Sequence, residues 1–66
     1  MGITINGENR DFDLPMTVAE LLKVLAFDAR SVLVERNLQV IDRDAMDNVS
    51  VCEGDTIEIL QVLGGG

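Results

Sequence analysis

The chain has 66 residues, 47% of them hydrophobic, and sets 5 lysines and arginines against 12 aspartates and glutamates for a formal charge of −7. That hydrophobic share argues against intrinsic disorder, and the shortage of clustered cations argues against nucleic acid or an anionic membrane as partner. With no histidine, tryptophan or tyrosine, and Cys52 as its one cysteine, the chain lacks the usual acid–base of neutral pH, an internal disulfide and a multi-cysteine zinc site.

Ile3-Thr4-Ile5-Asn6 alternates apolar and polar residues, the period of a half-buried strand. Asn6-Gly7 predicts a type I′ hairpin turn, which needs positive φ at both central residues. Arg10–Leu14 alternates again, with Phe12 and Leu14 on one face, and reads as the second strand. Pro15-Met16 ends it. Thr17-Val18-Ala19-Glu20 has the form of a capping box. Val18, Leu21, Leu22 and Leu25 then place one apolar stripe on a helix of roughly two to three turns. Ser31–Arg36 is rich in β-branched residues and predicts a third strand, Asn37 a turn, and Leu38–Ile41 a short strand. Asp42–Asn48 reads as a polar turn, a single helical turn capped by Asp42 with Met46 folded inward. Cys52-Glu53-Gly54-Asp55 supplies another turn, and Thr56–Val62 is the final strand.

A hairpin, a helix that crosses over, and further strands make an α+β fold of the ubiquitin-like β-grasp type. The expected form is a mixed four- to five-stranded sheet packed on one helix. Residues 1–63 make the domain, and residues 64–66 a flexible glycine tail. The final strand carries apolar residues of both parities, Ile57 and Ile59 against Leu60 and Val62. One set must leave the core, so Leu60, Val62 and the adjoining Leu63 are candidates for a partner-docking patch.

Catalytic chemistry is hard to assemble from the rest. Asp11 and Asp13, and likewise Asp42, Asp44 and Asp47, read as solvated carboxylates. Asp42, Asp44 and Glu53 fall at calcium-loop spacing, but Met46 and Asp47 occupy positions that need an oxygen ligand and a glycine, so no metal is expected. Cys52 has no histidine partner and is followed by the anionic Glu53 and Asp55, which disfavour the thiolate and favour a structural or incidental thiol. The tail Leu63-Gly64-Gly65-Gly66 offers thinness instead of chemistry: three extended glycines reach about 10 Å. The group such a tail delivers is the Gly66 carboxylate, which needs activation by a partner because the chain has no phosphate-binding loop. From the glycines alone, a frayed terminus and an active-site thread stand equal. The N-terminus has no basic segment followed by an apolar one, and Asn6 stands where myristoylation needs Ser or Thr, so a cytoplasmic location is expected.

The tail Gly64-Gly65-Gly66, the turn Glu53-Gly54-Asp55, the segment Val34-Glu35-Arg36-Asn37 and the total length resemble the ThiS family of sulfur carriers in thiamine biosynthesis. The resemblance implies a carrier, not an enzyme, with no cofactor bound and a monomer when free. An E1-like adenylyltransferase would spend ATP to turn the Gly66 carboxylate into an acyl-adenylate. Sulfur drawn from cysteine by a cysteine desulfurase would displace AMP and leave a thiocarboxylate for thiazole synthase. Gly64 and Gly65 would thread both enzymes' active sites. Three alternatives stay open on the sequence: a molybdopterin-synthase-type sulfur carrier, a ubiquitin-like protein modifier joined through Gly66 to a lysine, and an interaction module with incidental glycines.

Overall fold

Asn6 and Gly7 take φ of 49° and 85°, the doubly positive pair of a type I′ turn, and close a hairpin between β1 (Ile3–Ile5) and β2 (Glu8–Arg10). The computed structural model describes residues 2–62. A two-residue turn dictates register, so Ile5 faces Glu8, Thr4 faces Asn9 and Ile3 faces Arg10. The second strand is therefore Glu8–Arg10 and not Arg10–Leu14. The alternation at 11–14 belongs to a loop that laps the core. Phe12 and Leu14 pack half-buried against it, while Asp11 and Asp13 face water.

The loop leads into β3 (Met16–Thr17) and then α1 (Val18–Val24). The capping box is formed: the Glu20 amide donates to Thr17 Oγ1 at 3.0 Å, and the Thr17 amide donates to Glu20 Oε1 at 2.8 Å. Val18, Leu21 and Leu22 are buried and Leu25 is half-buried, as the stripe predicts. Two further amide groups at the head of α1 reach outside the helix. Val18 N–H donates to the Val49 carbonyl and Ala19 N–H to the Met46 carbonyl, at 2.9 and 3.0 Å. Those carbonyls belong to the segment that buries Met46, so one polar turn both fills the core and completes the helix terminus.

After a 3₁₀ turn at Ala29–Ser31, β4 (Val32–Arg36) and β5 (Gln39–Val40) form a second hairpin. Its turn residues are Asn37 and Leu38, at φ of 50° and 70°, so the short strand begins one residue later than the sequence predicts. A second 3₁₀ turn occupies Arg43–Ala45. Asp42 heads it but gives no side-chain cap; the turn is closed by backbone, from Ala45 N–H to the Asp42 carbonyl at 2.9 Å. β6 (Ser50–Val51) pairs antiparallel with β3, a two-residue ladder too short to leave a periodic trace in the sequence. The last strand, β7 (Thr56–Gln61), stops one residue short of the predicted Val62.

The main sheet has the order β2-β1-β7-β4-β5, with β1 and β7 parallel and the other pairs antiparallel. It is the mixed sheet packed on one helix of a ubiquitin-like β-grasp. Ile3, Ile5, Val32, Val34, Ile57 and Ile59 from this sheet meet Val18, Leu21 and Leu22 from α1, and Met46 and Val51 complete the core. Among the described residues, no helix is long and apolar enough to cross a membrane.

Leu22 is 1% exposed, so Leu22→Ala removes packed methyl groups from a site with little room to collapse. The expected loss is about 3 kcal/mol of unfolding free energy in urea denaturation. Thr17→Ala, which breaks the capping box, is expected to cost about 1 kcal/mol in the same measurement.

Candidate functional site

β7 lies between β1 and β4, and its alternation sorts its side chains onto two surfaces. Ile57 and Ile59 point into the core. Leu60 and Val62 are 51% and 46% exposed. Both parities are apolar, and the helix covers one side of the sheet, so the second set is left on the open side. Leu60 stands opposite Leu33 across the β4–β7 ladder, and Leu33 is itself partly exposed. Val40 on β5 faces Glu35, two residues along β4 from Leu33 and so on the same face, and is 56% exposed. Leu33, Val40, Leu60 and Val62 thus share the open face, a larger apolar surface than Leu60 and Val62 alone. The signal for Leu33 was legible: it has the parity opposite to the buried Val32 and Val34.

Glu35 and Glu58 sit directly opposite each other beside this patch and give it an acidic border. The Val62 N–H donates to the Ser31 carbonyl at 2.9 Å, fixing the backbone where the described chain stops. Leu63 and the tail residues Gly64, Gly65 and Gly66 lie outside the described residues. The candidate site is a surface and not a pocket. An open groove of about 520 Å³ lined by Asp11, Phe12, Asp13, Met16 and Val24 shares no residue with it.

Polar side chains fasten β7 at both ends. At its start, Asp55 is 8% exposed and accepts three hydrogen bonds. The donors are the Cys52 amide at 2.8 Å, Arg36 Nε at 2.7 Å and Asn37 Nδ2 at 3.1 Å. Asn37 also accepts from the Thr56 amide at 2.9 Å, while its own amide donates to the Thr56 carbonyl at 2.8 Å. Gly54, at φ of 86°, supplies the left-handed residue that turns the chain into this arrangement. Toward the other end, the Asn6 side chain pairs with Ile59: the Ile59 amide donates to Oδ1 at 2.8 Å and Nδ2 donates to the Ile59 carbonyl at 3.1 Å.

Burial works to raise the Asp55 pKa, but the Cys52 amide, Arg36 and Asn37 outweigh it and hold the carboxyl below its ordinary 3.8. The same hydrogen bond raises Arg36. The segments Val34–Asn37 and Glu53–Asp55, far apart in sequence, therefore meet in space, and their polar residues act on structure. At about 3.3 Å per residue, the six positions of β7 put this cluster about 20 Å from the strand's far end.

Of the other candidates, Cys52 is an exposed free thiol, and Asp42, Asp44 and Asp47 are exposed. Among the described residues, no group of three or more histidine, cysteine, aspartate or glutamate side chains is placed to hold a metal ion.

A family model described as the ThiS family matches residues 3–66. Over its 66 residues the chain is 46% identical to a thiazole synthase of Paramagnetospirillum magneticum. It is 36% identical over 50 residues to the sulfur carrier protein ThiS of Bacillus subtilis, covering 76% of each chain. The chain spans 20% of the length of that thiazole synthase, and the same share of a second one from Magnetococcus marinus. The crystal structure of the thiamine biosynthesis protein ThiS from Geobacter metallireducens superposes with a TM-score of 0.87 at 39% identity, with 100% of both chains covered.

Asp55→Asn keeps the shape of the side chain and removes the charge facing Arg36. It is expected to lower stability by about 1–2 kcal/mol at neutral pH. Because the folded pKa lies below 3.8, the wild-type contribution is complete above that pH and is lost as pH falls through the folded value. Urea titrations of both proteins across the acid range check this: the gap between them should close at low pH, and a gap that persists there would refute the assignment.

Proposed function

The chain belongs to the ThiS family, and we propose that it is a sulfur carrier of thiamine biosynthesis that bears sulfur as a thiocarboxylate on Gly66. The observation that carries this reading is the extent of the family match, which runs over residues 3–66 and includes the glycine tail. In the proposed cycle, a carboxylate oxygen of Gly66 attacks the α-phosphorus of ATP in an E1-like adenylyltransferase, and pyrophosphate leaves. The outer sulfur of a persulfide, supplied from cysteine through a cysteine desulfurase, then attacks the acyl carbon and expels AMP. A thiol cleaves the resulting acyl disulfide, leaving as a disulfide with the former persulfide carrier. The thiocarboxylate so formed passes its sulfur to thiazole synthase. Alignment of the whole chain with a part of two thiazole synthases supports that acceptor.

The division of labour within the chain follows from its chemistry. Residues 1–63 form the body that partners hold, and residues 64–66 form the thread. Leu60 and Val62, exposed on the open face, dock with Leu63 against the activating and accepting enzymes. Gly64 and Gly65 carry no side chain to obstruct a narrow active site. The sulfur rides on a terminal carbonyl, so the carrier requires neither histidine nor a reactive cysteine. ATP is consumed by the partner. The excess of carboxylates steers the carrier toward basic partner surfaces.

Intact-mass analysis after incubation with an adenylyltransferase, ATP, cysteine and a desulfurase tests the reading. The expected result is replacement of one oxygen by sulfur, localised to Gly66 and absent without ATP. Attachment of Gly66 to a protein lysine would instead identify a modifier. Deleting Gly65 and Gly66 is expected to abolish the mass gain while leaving the urea midpoint unchanged. Leu60→Asp should slow thiocarboxylate formation about tenfold, the equivalent of one lost apolar anchor, with the fold intact.

A further inference from the structure

Asn6 has a second chemical property beyond its place in the turn. An asparagine followed by glycine is the sequence in which the next backbone nitrogen most readily reaches the side-chain carbonyl carbon, because glycine has no Cβ to obstruct the approach. At Gly7 even an added Cβ would meet nothing within 4 Å, so the tip of this turn is sterically open. Asn9, Asn37 and Asn48 are followed by Arg10, Leu38 and Val49, whose side chains crowd the same attack.

Two restraints in the folded protein oppose that reaction at Asn6. Its carboxamide is pinned edge-on to Ile59 by the hydrogen bonds at 2.8 and 3.1 Å, so the side-chain carbon is committed to β7 and not to Gly7. Its backbone is held left-handed at φ 49° by the turn, and its own N–H is bound to the Ile57 carbonyl at 3.0 Å. Release of the β1–β2 turn from β7 frees the carboxamide and the Asn6 N–H together.

We propose that Asn6 is a self-modifying site, whose conversion to aspartyl and isoaspartyl residues is gated by opening of the Asn6–Ile59 clamp. The Gly7 nitrogen loses its proton and attacks the Asn6 side-chain carbon. A C–N bond forms, the side-chain nitrogen leaves as ammonia, and a cyclic succinimide results. Water then opens the ring at either carbonyl. No oxidant, cofactor or enzyme takes part.

Either product damages the clamp. An aspartate carboxylate still accepts from the Ile59 amide, but it has no hydrogen to donate and sets negative charge against the Ile59 carbonyl. An isoaspartyl link lengthens the main chain by a methylene within a two-residue turn and disturbs the pairing of Ile5 with Glu8. The edge of β7 next to Leu60 then loses its fastening, so modification is an irreversible ageing switch on the strand that carries the open face.

The test uses the full chain, held at mildly alkaline pH either folded or in urea, with peptide mass mapping and isoaspartyl methyltransferase labelling over time. Conversion should be confined to Asn6 and should run at least about tenfold faster in urea, as expected for a reaction that waits on local opening. Equal rates in the two conditions would overturn the gate, and an unmodified Asn6 in urea would overturn the site. Amide hydrogen exchange gives a second readout that does not depend on a variant folding: the Ile59 N–H should exchange faster in aged protein enriched in the product. Unchanged exchange there would overturn the structural consequence. Asn6→Asp should reproduce the faster exchange and lower the urea midpoint.

Discussion

Strand β7 is hydrogen-bonded along both edges, parallel to β1 and antiparallel to β4, and the rest of the molecule is organised around keeping it so. The two neighbours do not cover it equally. β4 runs alongside from Ile57 to Gln61, whereas β1 is in register only with Thr56 and Ile57. Past that point the chain has turned away into the Asn6-Gly7 hairpin. The Asn6 carboxamide, which carries the same donor and acceptor as a peptide group, supplies the missing rung at Ile59. A turn residue thus serves two ends: its backbone bends the hairpin and its side chain completes the sheet.

The start of β7 is secured by a different device. Asp55 is nearly buried, and a buried carboxylate is tolerated only when its oxygens are satisfied. Arg36 at the end of β4, Asn37 in the turn after it and the Cys52 amide do this, so the cluster ties the β4–β5 hairpin to the approach of β7. A small domain has few core residues with which to hold its strands, and polar side chains placed on backbone groups give orientation that apolar contact alone does not. The described chain leaves no buried side-chain polar atom without a partner.

This economy bears on function. Helix α1 covers one side of the sheet, and the segment around Met46 closes the core beneath the helix head, so the opposite side is free to hold Leu33, Val40, Leu60 and Val62. The strand that ends at this face is also the strand that leads toward the glycines. In the proposed carrier role, recognition and delivery therefore share one element. The polar cluster at Asp55 lies at the other end of that element, where it can hold the strand without occupying the open apolar patch.

The sequence by itself determined the elements whose cause is local. The apolar stripe of α1 and its capping box, the Asn6-Gly7 turn, the inward Met46 and the split of Ile57 and Ile59 from Leu60 and Val62 follow from periodicity and turn chemistry within a few residues. The glycine tail and the segments Val34–Asn37 and Glu53–Asp55 carried the family resemblance, though not the reason those segments matter. What the tertiary structure decided was pairing between distant segments. It laid residues 11–14 as a loop against the core, with Phe12 and Leu14 half-buried, although their alternation reads as a strand. It formed β3 and β6 from pairs of residues with no pattern of their own. It also brought Arg36 and Asn37 to Asp55, and Asn6 to Ile59, contacts across 18 to 53 residues of chain. Hydrogen-bond partners at such separations leave no periodic mark in a single sequence, because either member satisfies its local role whether or not the other is near.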